Sequence, residues 1–117
     1  GHGFRAVEDP ALVEYMAKHE IGLEVCPTSN LHTSTVRSYT SHPVKSLADE
    51  GVKFCLNTDD PGISAIDLEH EYTVAAPATG LSGRQIHQSQ LDGLEMAFLS
   101  EEDKSGLKLK VAQRSAL

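Results

Sequence analysis

Two adjacent carboxylates, Asp59 and Asp60, stand where the apolar run Val52-Lys53-Phe54-Cys55-Leu56 meets Pro61-Gly62. Like charges side by side repel, so a strand end carries such a pair where a partner offsets the repulsion, and a divalent metal is one such partner. Two further polar clusters lie upstream. They are Gly1-His2-Gly3, and Glu24-Val25-Cys26-Pro27-Thr28-Ser29-Asn30 on a strand read from Leu23 to Cys26. Three strand-end clusters in order look like one mouth of a barrel.

The stretches between the clusters read as helices. Asp9 can cap free N–H groups and Pro10 suits a first helical position, which predicts a helix over 10–20 stopped by Gly22. His42-Pro43 opens a second, with Val44, Leu47 and Ala48 on one face. A third runs from Ile66-Asp67 through Tyr72 and Val74 and is expected to end at Pro77 and Gly80. Ser82 with Gln85, and Ser100 with Asp103, have capping-box spacing ahead of two final helices. Pro27-Thr28-Ser29-Asn30, by contrast, reads as a polar loop leading to a Thr- and Ser-rich stretch up to Ser41.

Helices between short apolar strands define an α/β class built of parallel βα units. A closed eight-stranded barrel typically takes roughly 250 residues. The 117 residues here therefore read as a single segment, 1–117, worth less than half of one. The start inside a motif, without Met, predicts a piece of a longer chain.

Net charge is −7 and the ten Lys and Arg are scattered, which argues against a polynucleotide partner. No apolar run is long enough to cross a membrane and no signal sequence opens the chain, so the expected setting is cytoplasmic. Cys26 and Cys55 match no common zinc spacing and read as plain buried thiols of a reducing compartment.

In parallel βα folds reactive groups gather at C-terminal strand ends. A carboxylate there can bind zinc, a second can position water or a substrate N–H, and a histidine can orient or accept a proton from that water. That is equipment for metal-assisted hydrolysis. Each piece taken alone has a plainer reading. Asp-Asp-Pro-Gly is ordinary turn chemistry, and Thr28-Ser29-Asn30 would be a loop with local hydrogen bonds. His19, His32, His42, His70 and His87 read as structural or solvated, and Glu101-Glu102-Asp103 as the N-terminal turn of a helix.

The order and wording of the motifs change the balance. Gly-His-Gly, Glu-Val-Cys-Pro-Thr-Ser-Asn and Leu-Asn-Thr-Asp-Asp-Pro-Gly together resemble the C-terminal part of adenosine deaminase, bacterial members above all. Gly62 to Tyr72 and Gly93 to Leu99 continue the resemblance, which spans essentially the whole chain. It implies the last βα units and C-terminal helices of a zinc-bearing (β/α)8 barrel of the metal-dependent hydrolase type. The implied reaction converts adenosine or 2′-deoxyadenosine to the inosine compound plus ammonia. By the same resemblance Asp59 is the zinc ligand, Asp60 holds the attacking water and hydrogen-bonds the purine, and His2 orients and activates that water. The family's His-x-His pair and His-Ala-Gly-Glu motif are absent from this chain, so the remaining zinc ligands and the purine-protonating glutamate are missing. The chain alone is therefore expected to be inactive. Two rivals stand beside this reading. One is a related deaminase of adenine; the other is a non-catalytic assembly piece with a vestigial site, associating with itself or a complementing polypeptide through open strand edges.

Overall fold

Asp9 starts the first helix as its chemistry dictates. In α1 (Pro10–Lys18) its Oδ1 accepts the N–H groups of Ala11 and Leu12 at 3.0 and 3.2 Å, and Val13 and Met16 face the core. The helix stops short of residue 20 because Glu20 adopts a φ of +54°, which turns the chain towards the sheet. The chain's structure is a computed structural model that describes residues 1–115, with side chains to residue 113.

Two strands, β1 (Leu23–Val25) and β2 (Phe54–Leu56), pair in parallel, with Leu23 opposite Phe54 and Val25 opposite Leu56. Period-two alternation sends these four side chains into the core, where Val44, Leu47 and Val52 join them. Parallel neighbours need a crossover, supplied here by residues 26–53 with α2 (Pro27–His32) and α3 (Val44–Asp49). The Gly1 segment forms no strand of its own. Glu24 N–H nevertheless donates to the Gly1 carbonyl at 3.3 Å, so the chain start lies along β1 in the place of a third strand.

Two sequence expectations need correction. Pro27-Thr28-Ser29-Asn30 is not a loop: it is most of α2, with Pro27 in the first turn and all four residues buried. Their polar groups bond to Tyr39, Asp59 and His42, so a polar string that reads as a loop with local hydrogen bonds is packed inside the fold. The second concerns Pro77, which does not end its helix. α5 (Leu68–His70), a π-helical turn (Glu71–Ala75) and α6 (Ala76–Ala78) run on without leaving helical backbone angles, and Pro77 lies inside α6. Ala76 N–H reaches the Glu71 carbonyl, five residues back, and this widened turn lets the helix carry a residue without a donor. The chain turns out at Gly80, whose φ is +90°.

The spacing predicts a capping box before each of the two long helices; α7 has the full reciprocal box, while α8 has the N-cap bond without the returning backbone bond among the described residues. In α7 (Gly83–Met96) Gln85 N–H donates to Ser82 Oγ at 3.3 Å and Ser82 N–H to Gln85 Oε1 at 3.0 Å. In α8 (Glu101–Ser115) Asp103 N–H donates to Ser100 Oγ at 3.1 Å. Helix α7 packs on β2 closely enough that a Cβ on Gly93 would stand 3.0 Å from Cys55 Cβ. It also reaches the free strand edge: Phe54 N–H donates to Asp92 Oδ2 at 3.3 Å, and Gln88 holds the other carboxylate oxygen at 2.9 Å. The result is a partial α/β unit, mostly helical, around one two-stranded parallel sheet.

Candidate active site

The C-terminal ends of the strands bring two of the three clusters into contact with Asp59. That residue follows β2 in the left-handed region, φ +61°, a conformation Asp tolerates better than most residues. Ser29 Oγ, on α2, donates to Asp59 Oδ2 at 2.7 Å. His2 Nε2 stands 3.7 Å from the same oxygen. Gly3 fixes where His2 can sit: its φ is +57°, and a Cβ there would run into the Leu23 side chain. Behind His2, Asn30 Nδ2 lies 3.2 Å from Nδ1, and the Asn30 Oδ1 lies 3.0 Å from Nε2 of the buried His42.

Asp60 stands at the exposed rim beside this group. Its Oδ1 accepts Ile63 N–H at 3.1 Å and caps α4 (Pro61–Ser64), so one oxygen has a structural duty. Among the described residues no hydrogen bond joins Asp60 to His2 or Asp59. The Pro61-Gly62 turn read from sequence is thus the first turn of a short helix.

Open depressions flank the cluster on both sides. One, of about 430 Å3, is lined by His2, Cys26, Asn57 and Asp59 among others; the second, of about 530 Å3, by His2, Phe4, Ser29, Asn30 and Asp59 among others. Cys26 adds no nucleophile to the first. Burial, then the negative charges of Asp59 and Glu71, push its thiol up to about 12, so it stays protonated. Both cysteines are free, but only Cys26 is buried; Cys55, expected to be buried, is half-buried.

Beneath α2 lies Glu71, wholly buried. Burial raises its carboxyl above the usual carboxylate range, and Thr28, whose N–H donates to Oε2 at 3.4 Å, pulls partly the other way. Its Oε1 and the Nε2 of His70 have no partner among the described residues. His70 is therefore tucked in at this nitrogen rather than solvated. Ser29, Asn30 and His42 are the residues of the site that sequence reading did not single out. Ser29 and Asn30 were visible only as members of a polar cluster, and His42 only as the start of a helix.

The donor set fits part of a metal site. Asp59 offers Oδ1, which carries no hydrogen bond among the described residues, while Ser29 holds its Oδ2. Among the described residues no group of three or more His, Cys, Asp and Glu side chains is arranged to hold an ion. Catalytic zinc takes about three protein ligands, so other ligands would have to come from outside these residues.

Comparison with known proteins decides the family. Residues 1–114 match adenosine deaminase. This chain belongs to the adenosine deaminase family. The adenosine deaminase of Aliivibrio fischeri is 55% identical over 114 residues, which are 97% of this chain and 34% of that protein. That of Klebsiella pneumoniae is 57% identical over 113 residues, again 97% of this chain and 34% of the relative. The chain thus spans about a third of the length of these relatives. Among solved structures, adenine deaminase from Arthrobacter aurescens superposes with a TM-score of 0.87 at 23% identity, over 99% of this chain and 36% of that one. An amidohydrolase from Burkhoderia ambifaria with bound zinc gives 0.84 at 23% identity, over 97% and 32%. These two likenesses establish the fold.

Proposed function

We propose that this chain supplies the C-terminal part of a zinc-dependent (β/α)8 enzyme that deaminates adenosine or 2′-deoxyadenosine to inosine or 2′-deoxyinosine and ammonia. The observation that carries the reading is the meeting of His2, Ser29 and Asp59 at the strand ends of a family member. The identical fraction favours adenosine, since the relatives at 55 and 57% are adenosine deaminases.

In this reading Asp59 is the metal-ligating carboxylate and Ser29 fixes its orientation. Zinc, when bound, supplies a Lewis acid that brings the pKa of water towards about 7. Asp60, at the rim, holds the attacking water with its second oxygen and hydrogen-bonds the purine. His2 orients that water towards the carbon bearing the amino group. The partners are then a purine nucleoside and the polypeptide that completes the site, with neither nucleic acid nor membrane involved. The reading includes a role in purine metabolism and a cytoplasmic setting.

A second reading, deamination of free adenine, matches what the Arthrobacter aurescens neighbour is named for. Grafting this chain in place of the matching third of the Aliivibrio fischeri enzyme separates the two. The graft is expected to turn over adenosine in the presence of zinc and to leave adenine unchanged; turnover of adenine alone would move the assignment. The 117-residue chain by itself is expected to show no turnover with zinc added.

A further inference from the structure

The polar contacts behind His2 form a chain whose direction is fixed at one end. Val44 N–H, a group that can only donate, points at Nδ1 of His42 across 3.1 Å. That nitrogen is therefore an acceptor, and the proton of the neutral ring sits on Nε2. Burial keeps the ring neutral by lowering its pKa to about 4, with a smaller push from His2. Nε2–H then donates to Asn30 across 3.0 Å, which fixes the facing atom of the amide as oxygen. The other end of the amide, Nδ2, is left to donate to Nδ1 of His2 across 3.2 Å.

We propose that His42 and Asn30 are positioning residues that hold His2 in the tautomer with its proton on Nε2, so that the ring presents a donor to the mouth of the site. Each step removes one alternative from the next, and the sequence ends at the residue assigned to water orientation. Nε2 stands 3.7 Å from Asp59 Oδ2, too far for a hydrogen bond between them, so its N–H is available to an oxygen of water or substrate. His2 then orients that oxygen by donation. A neutral ring in this state has no lone pair at Nε2 with which to take a proton.

The relay is held firmly. The Asn30 carbonyl accepts the N–H groups of Thr35 and Val36 at 3.0 and 3.1 Å, which closes the following loop around it. The His42 ring packs against Phe4 with centroids 5.4 Å apart. The consequence for water orientation rests on the deaminase reading, whereas the tautomer itself does not.

Histidine-selective 15N labelling of the chain, read by long-range proton–nitrogen correlation, reports each ring's tautomer without any activity. His2 is expected to show Nε2–H alone, against the mixed tautomers of the exposed His19 and His87. Asn30→Asp replaces the amide with a group that only accepts. In that variant the His2 proton is expected to move to Nδ1, while His42, still held by Val44, keeps its own on Nε2. His42→Phe preserves the packing on Phe4 and frees the amide to turn, and is expected to return His2 to the mixture. A mixed or Nδ1-protonated His2 in the parent chain overturns the proposal, as does an unchanged His2 in the variants. Loss of deamination in the graft with this tautomer pattern intact would count against the functional reading alone.

Discussion

His42 is the residue whose burial has the clearest consequence in solution. Its folded pKa, about 4, lies below the ordinary 6.5, so between these values the unfolded chain binds a proton that the folded chain does not. Its neutral burial therefore contributes full stability above pH 6.5, and this is lost as pH falls towards 4. A shift of that size corresponds to about 3 kcal/mol at most. Chemical denaturation at pH 7 and pH 4 is expected to show a smaller loss of stability in His42→Phe than in the parent chain; equal losses would contradict the assignment. Glu71 acts in the opposite sense, because its raised carboxyl favours the folded state at low pH and the advantage falls away as pH rises through its folded value. The two groups partly offset one another, which is why the comparison is made between variants.

At the scale of elements, what could be read in advance was local, and what could not was contextual. Asp9-Pro10, the Ser82–Gln85 box and the Ser100–Asp103 pair carry their instructions within four residues, and the helices start where these residues place them. Ser82→Ala is expected to cost about 1 kcal/mol in denaturant melts, the usual worth of a lost N-cap. No measurable change would mean that packing on β2 alone sets the start of α7. Pro27 to Asn30 escaped the reading because a polar helical turn buried on all four residues has no apolar stripe to reveal it. Pro77 misled because a breaker's effect depends on the turn before it, and a π turn leaves no trace in residue spacing. The site itself divides in the same way. His2 and Asp59 were legible as members of polar clusters read at strand ends, although only Asp59 follows a strand, whereas Ser29, Asn30 and His42 join them only through contacts between residues 12 to 30 positions apart.

Taken whole, the molecule keeps apolar surface uncovered. Phe98 and Ile63 are exposed, as are Leu107 and Leu109 on α8, and the sheet has two strands among the described residues. Asp92 covers part of the β2 edge, and Gly1 part of β1. In the proposed barrel, neighbouring βα units would lie along the open strand edges. Alone, the chain is expected to self-associate, and a monodisperse monomer in light scattering would count against that. No helix among the described residues is long and apolar enough to cross a membrane. The most direct test of the site is made in the graft, by comparing zinc content and adenosine turnover with and without Asp59→Ala. If Asp59 holds the metal in a site shared with residues beyond this chain, the graft binds zinc and turns over adenosine, and the variant loses at least about 100-fold in turnover together with its zinc. A variant that keeps both would show that Asp59 is only the turn residue its neighbours Pro61 and Gly62 suggest.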